Sequence, residues 1–242
     1  MVSRMTVPEA PARDLRSGLV DGLRAARAAE REIFDAIDPD DRDRSGVDGG
    51  WSAKDVQAHL GSWRRRMVDR MAANREGREE PSLAATETDE INAMFHAQRA
   101  HWPWDQVVAD ADATTADLIA EVEAAPPTVL EDPQLVGSIM GNGPEHTLAH
   151  LAPLADRVGA RTRVIDLAIR IESIIDGGAW PGRAAAYARY NLACFHALNG
   201  RLDRARELLR QALPEQEELR SFAPEDDDLI ALRDELPSLA AG

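Results

Sequence analysis

Periodicity is what most constrains this fold. Apolar residues recur at helical spacing in almost every segment, and no segment of useful length alternates with the period of a strand. Residues 11–37 carry Leu15, Leu19, Val20, Leu23, Ala26, Ile33 and Ile37 close to helix period, until Asp38 meets Pro39, where the α region is disfavoured. A polar loop ending in Gly49-Gly50-Trp51 leads to Ser52 and Asp55, a capping-box pattern that opens a helix over 52–74 with Val56, Leu60, Trp63, Met67 and Met71 on one face. A further helix begins at about Thr88 and breaks at Trp102-Pro103-Trp104; another runs over 104–125 to Pro126-Pro127. A long connection through Gly137, Gly141 and Gly143 then reaches a helix that starts after Pro144, since proline suits a first turn. Val129-Leu130 and Leu135-Val136 are too short to count as strands. The expectation is an all-α chain whose first part, residues 10–160, is an up-down four-helix bundle.

After residue 160 the character changes. Residues 161–242 read as a separate helical region: a helix over 162–175 stopped by Gly177-Gly178, a helix pair turning at Asn199-Gly200-Arg201, and a last helix over 225–236. Leu192, Ala193, Gly200, Leu202, Ala205, Leu209 and Ala212 make this pair resemble a tetratricopeptide repeat, whose small residues let two antiparallel helices approach closely. A single repeat cannot bury its faces alone, so neighbouring helices must cover it.

Composition narrows the setting. A net charge of −15 argues against a nucleic-acid surface, which needs clustered Lys and Arg. No run approaches the roughly 18 apolar residues that cross a membrane, and the N-terminal stretch lacks the apolar segment of a secretory signal. The single cysteine, Cys194, fits a reducing cytoplasm and reads as a small buried hydrophobe. Lys54 is the one lysine; arginine carries the rest of the positive charge, in a composition resembling that of high-GC bacteria.

The stretch GNGPEHTLAHL (141–151) places His146 and His150 four apart, on one helical face. Such a pair can bind metal or simply face solvent. His59, in GWSAKDVQAHLGSW, can be a third ligand brought in by bundle packing or a hydrogen-bonded histidine on a partly buried face. Three imidazoles with an open fourth position form a common catalytic arrangement for a divalent ion. His96 and His101 read as surface or structural residues. Glu145 reads as a first-turn acid favoured by the helix dipole, and the 64–66 arginine run as a solvated face able to meet an anionic cofactor.

GGWSAKDVQAHLGSW, EINAMF and GPEHTLAHL together resemble the DinB-like superfamily, including its DfsB-like and mycothiol-dependent maleylpyruvate isomerase-like branches, over residues 12–160. The resemblance implies a four-helix bundle holding a divalent metal (zinc, nickel or iron) through His59, His146 and His150. Trp63, four residues after His59, would project near that metal and line a pocket or serve as a core aromatic, and Asn92, where the family has its INxxF element, would orient a ligand or hydrogen-bond a helix end; both are candidate substrate-binding residues. The activity it implies is that of a transferase or isomerase acting on a small electrophilic molecule, with a low-molecular-weight thiol of the mycothiol type as cosubstrate. The alternative is a non-catalytic small-molecule-binding or stress-response scaffold whose repeat-like tail recruits a peptide or protein partner. Relatives also suggest a homodimer.

Overall fold

A computed structural model describes residues 14–46, 50–80, 83, 87–178 and 180–241. Residues 11–13 of the expected first helix and Gly49 lie outside the described residues. Among those described the chain is all-α, with no β-strand. No described helix is long and apolar enough to cross a membrane.

Helix α1 (Leu15–Asp35) starts at Asp14, whose carboxylate accepts from Ser17 N at 2.9 Å, and buries Leu19, Leu23, Ile33 and Phe34. A 3-10 turn over Pro39–Asp41 follows. The capping box opens α2 (Ala53–Glu76) as expected: Asp55 N donates to Ser52 Oγ at 3.2 Å, and Ser52 N donates to Asp55 Oδ2 at 3.0 Å. Then come α3 (Thr88–Arg99) and α4 (Trp104–Ala124), the second with no side-chain cap behind Pro103. α2 lies along α4, α1 packs on both α4 and α7, and α2 also reaches α7.

The connection expected to be a loop is helical. α5 (Pro127–Leu130) and α6 (Pro133–Asn142) fill it, α6 beginning at Asp132, which accepts from Gln134 N at 2.9 Å. Leu135, Val136, Ile139 and Met140 are all buried, a spacing that serves one helical face. Gly137 and Gly141 suggested a loop, yet a glycine within a helix costs only about 1 kcal/mol against alanine, less than burying that face contributes. α7 (Pro144–Arg157) starts at once after Gly143, with Pro144 in its first turn.

α8 (Arg161–Asp176) packs on α1 and α7. α9 (Gly182–Leu198) and α10 (Leu202–Ala212) form the expected antiparallel pair, turning at Gly200, whose φ of 70° lies in the left-handed region that glycine tolerates best. Buried Glu172 on α8 ties this part together, meeting His196 of α9 and Arg204 Nε of α10, the latter at 2.7 Å. After α11 (Glu217–Phe222) the expected helix over 225–236 is instead a 3-10 run, Asp227–Glu235, followed by α12 (Leu236–Ala240). Leu229 and Leu232, three apart and both buried, suit a turn of three residues, and Asp226 caps the run by accepting from Asp228 N at 3.0 Å. Most buried apolar side chains, though not Ile91 and Phe95 of α3, form one cluster that runs from Leu19 in α1 through Leu167 in α8 to Leu239 in α12.

Candidate metal centre

Three helix-borne imidazoles converge where α2 meets α7. His59 lies on the second turn of α2, positioned by the Ser52–Asp55 cap; His146 and His150 lie on the first two turns of α7. His59 Nε2 stands 3.0 Å from His146 Nε2, which stands 3.1 Å from His150 Nε2. The three ring centroids are mutually 4.7 Å apart with interplanar angles of 67°, 73° and 71°, so the rings turn like propeller blades around one axis.

This set fits a divalent cation. Two nitrogens about 2.1 Å from a shared ion stand roughly 3.0–3.4 Å apart for angles between about 90° and 109°, and the observed separations fall at the short end. Burial lowers the His146 pKa well below its ordinary 6.5, with His150, His59 and Arg64 pushing the same way, so this ring is a neutral lone-pair donor at pH 7. Its Nδ1 is buried with no hydrogen-bond partner among the described residues. Packing, not an outer hydrogen bond, therefore sets the orientation of that ring.

Aromatic side chains wall the triad. Trp51 meets His59 edge-on at 4.6 Å and stacks in offset fashion on His150 and His96 at 6.5 and 6.2 Å. Trp63 lies 6.3 Å from His59 and 6.0 Å from His146, with its other edge on Phe95 at 5.6 Å. Trp63 Nε1 donates to Asn92 Oδ1 at 3.0 Å, so the INxxF asparagine of α3 fixes the indole. Arg66 sits over the Trp63 ring at 5.2 Å. His96 pairs with Asp55 at 3.2 Å, joining α3 to the start of α2. Sequence reasoning overlooked Trp51 and Phe95; the signal was their adjacency to the cap and to the INxxF element.

Behind the triad lies a buried ionic group. Glu30 of α1, fully buried, accepts from Arg64 Nη1 at 2.6 Å and Nη2 at 2.9 Å, from Arg27 Nη1 at 2.9 Å and from Thr147 Oγ1 at 2.7 Å. Burial pushes its carboxyl up, but Arg64, Arg27 and Thr147 outweigh that and hold it below the ordinary 4.5. Arg64 thus departs from the expected solvated arginine face: its neighbour Arg66 is exposed while Arg64 is buried, because the helix turns it toward α1. Glu145 does sit in the first turn of α7 as expected. Burial raises its carboxyl to about 7, partly offset by Asn191, whose Nδ2 donates to Oε2 at 2.6 Å. Cys194, on α9, is buried; burial and then Asp226 push its thiol up.

Residues 23–155 match a sequence model of the DinB superfamily, a span running from within α1 to within α7. No curated protein and no solved structure is matched. Members of this superfamily are often metal-binding enzymes, and all three converging histidines fall inside the matched span. On that match, covering more than half its length, the chain belongs to the DinB superfamily.

Proposed function

We propose that the protein is a divalent-metal-dependent enzyme acting on a small electrophilic molecule with a low-molecular-weight thiol, a transferase or isomerase akin to the DfsB-like and mycothiol-dependent maleylpyruvate isomerase-like branches. The observation that carries this reading is the convergence of the His59, His146 and His150 Nε2 atoms at 3.0 and 3.1 Å. Held by His59, His146 and His150, a zinc, nickel or iron ion would keep its full double charge and would supply Lewis acidity able to acidify a thiol or polarise a carbonyl. Trp51 and Trp63 exclude water from one side of that position and offer flat apolar surface to a substrate. Asn92, its carbonyl oxygen committed to Trp63, presents its amide N–H groups as donors. In the same reading α1, α2, α4 and α7 are the four helices of the bundle, spanning residues 10–160. The α9–α10 pair within 161–242 is a repeat-like hairpin open to a peptide or protein partner, the protein works in the cytoplasm, and two copies pair.

Elemental analysis of protein purified without an affinity tag tests this, with His59→Ala, His146→Ala and His150→Ala beside it. The expected result is about one divalent ion per chain, lost in each variant together with thiol-dependent turnover of an electrophilic probe such as 1-chloro-2,4-dinitrobenzene. Metal-free native protein, with His150→Ala unchanged in stability and turnover, overturns the reading.

A further inference from the structure

A cavity of about 640 Å³ opens between α7 and α9, and the metal reading leaves most of it unused. Its walls are largely apolar, with Ala149, Ala152, Leu192 and Leu198 among them. Its polar lining holds four carboxylates, Glu145, Asp156, Asp226 and Asp228, beside His146, Arg161, Asn191 and Asn199. Glu145 Oε2 is met by Asn191, but Oε1 is buried with no hydrogen-bond partner among the described residues. Asp226 and Asp228 sit at another part of the lining, close enough together with Cys194 to share one small cation. The Asp226 carboxylate accepts from neutral donors, Tyr190 Oη at 2.7 Å, Cys194 Sγ at 3.6 Å and the Asp228 backbone N at 3.0 Å, while Arg233 Nη2 donates to the Asp226 backbone oxygen at 3.3 Å and to Asp227 Oδ1 at 3.2 Å. Burial, then Asp226 and Asp227, push the Asp228 carboxyl up. Arg161, which also lines the cavity, is committed to Asp156 and, at 2.6 Å, to Asn199. Two aromatic rings, Tyr190 and Phe222, stand 6.4 Å apart on the same lining, and Phe222 is 56% exposed at the rim.

Apolar walls, carboxylates with no ion pair of their own among the described residues and aromatic faces are together the chemistry that recognises an ammonium group on an apolar body. We propose that this cavity binds an organic ammonium ion, its body between α7 and α9 and its charged head at Asp226 and Asp228 beside Phe222.

Methyl NMR of the full chain, titrated with 2-phenylethylammonium, tests the proposal, with phenylacetate and 2-phenylethanol as anionic and neutral counterparts. Saturable shifts are expected at the Leu192 and Leu198 methyls with the ammonium alone. Asp228→Asn should weaken binding about tenfold, the scale of one charge-assisted hydrogen bond. Leu198→Arg, at a position 63% exposed, sets a guanidinium at the rim and should abolish binding without affecting the fold. Absence of saturable shifts with the ammonium, an equal response to phenylacetate, or binding untouched by both substitutions overturns the proposal. The readout is binding and neither substitution touches the triad; because His146 also lines the cavity, the titration is run on chelator-treated and zinc-loaded protein, with saturable binding expected in the first whatever the histidines hold.

Discussion

Glu30 concentrates more structural consequence than any other side chain near the centre. It is a buried carboxylate shared by Arg64, Arg27 and Thr147, so three helices meet on one charge. Removing one partner of such a group leaves the others buried and uncompensated, a loss of about 3–5 kcal/mol. Glu30→Gln is therefore expected to lower unfolding free energy by that order at pH 7, measured by urea denaturation. The pH dependence follows from the sign of the shift: the folded carboxyl titrates below its ordinary 4.5, so its contribution is full above that value. It fades as pH falls through the folded pKa. Between about pH 5 and pH 3, Glu30→Gln should lose less stability than the parent; parallel slopes would contradict the assignment. None of this was legible in the sequence, where Arg64 belongs to a run of three arginines and Glu30 to a stretch of ordinary helix charges. The triad was legible only through the resemblance to the DinB-like superfamily: the four-residue spacing puts His146 and His150 on one face, but no local signal brings the helix of His59 beside theirs.

At the scale of elements, the metal position depends on where two helices begin. α2 begins at its capping box, and Ser52→Ala should cost about 1 kcal/mol in thermal or chemical unfolding. α7 begins at Gly143, wedged between α6 and α1: a Cβ there would lie 2.6 Å from Leu23 Cδ2 and 2.9 Å from the Ile139 carbonyl oxygen. A methyl group cannot enter without moving a core leucine or the α6 backbone, so Gly143→Ala should destabilise by about 1–3 kcal/mol. It should also weaken metal retention by shifting the turn that carries His146; unchanged retention in a competition with a chelator would show that α7 keeps its position by other contacts. The sequence marked these starts well because caps and prolines are local signals. It missed α6, whose Leu135, Val136, Ile139 and Met140 sit between glycines, because the gain from burying them comes from α7 and α9, elements distant in sequence.

For the whole molecule, one buried apolar cluster joins side chains of α1 to those of α8, α9, α10 and α12. α8 closes on α1 and α7, and α9 covers α6. Scanning calorimetry should then show a single unfolding transition, and deleting residues 178–242 should lower the unfolding temperature of what remains. Two resolved transitions, with the shortened chain as stable as the parent, would mean that the two regions hold together independently.

Two of the five tryptophans, Trp51 and Trp63, touch the imidazoles, with Trp51 4.6 Å from His59 and Trp63 6.0 Å from His146. At such range an open-shell ion drains an excited indole, whereas closed-shell zinc leaves it emitting. The protein thus carries its own optical gauge of occupancy: cobalt(II) or nickel(II) should dim part of the ultraviolet emission, zinc should restore it by displacement, and His150→Ala should stay bright throughout.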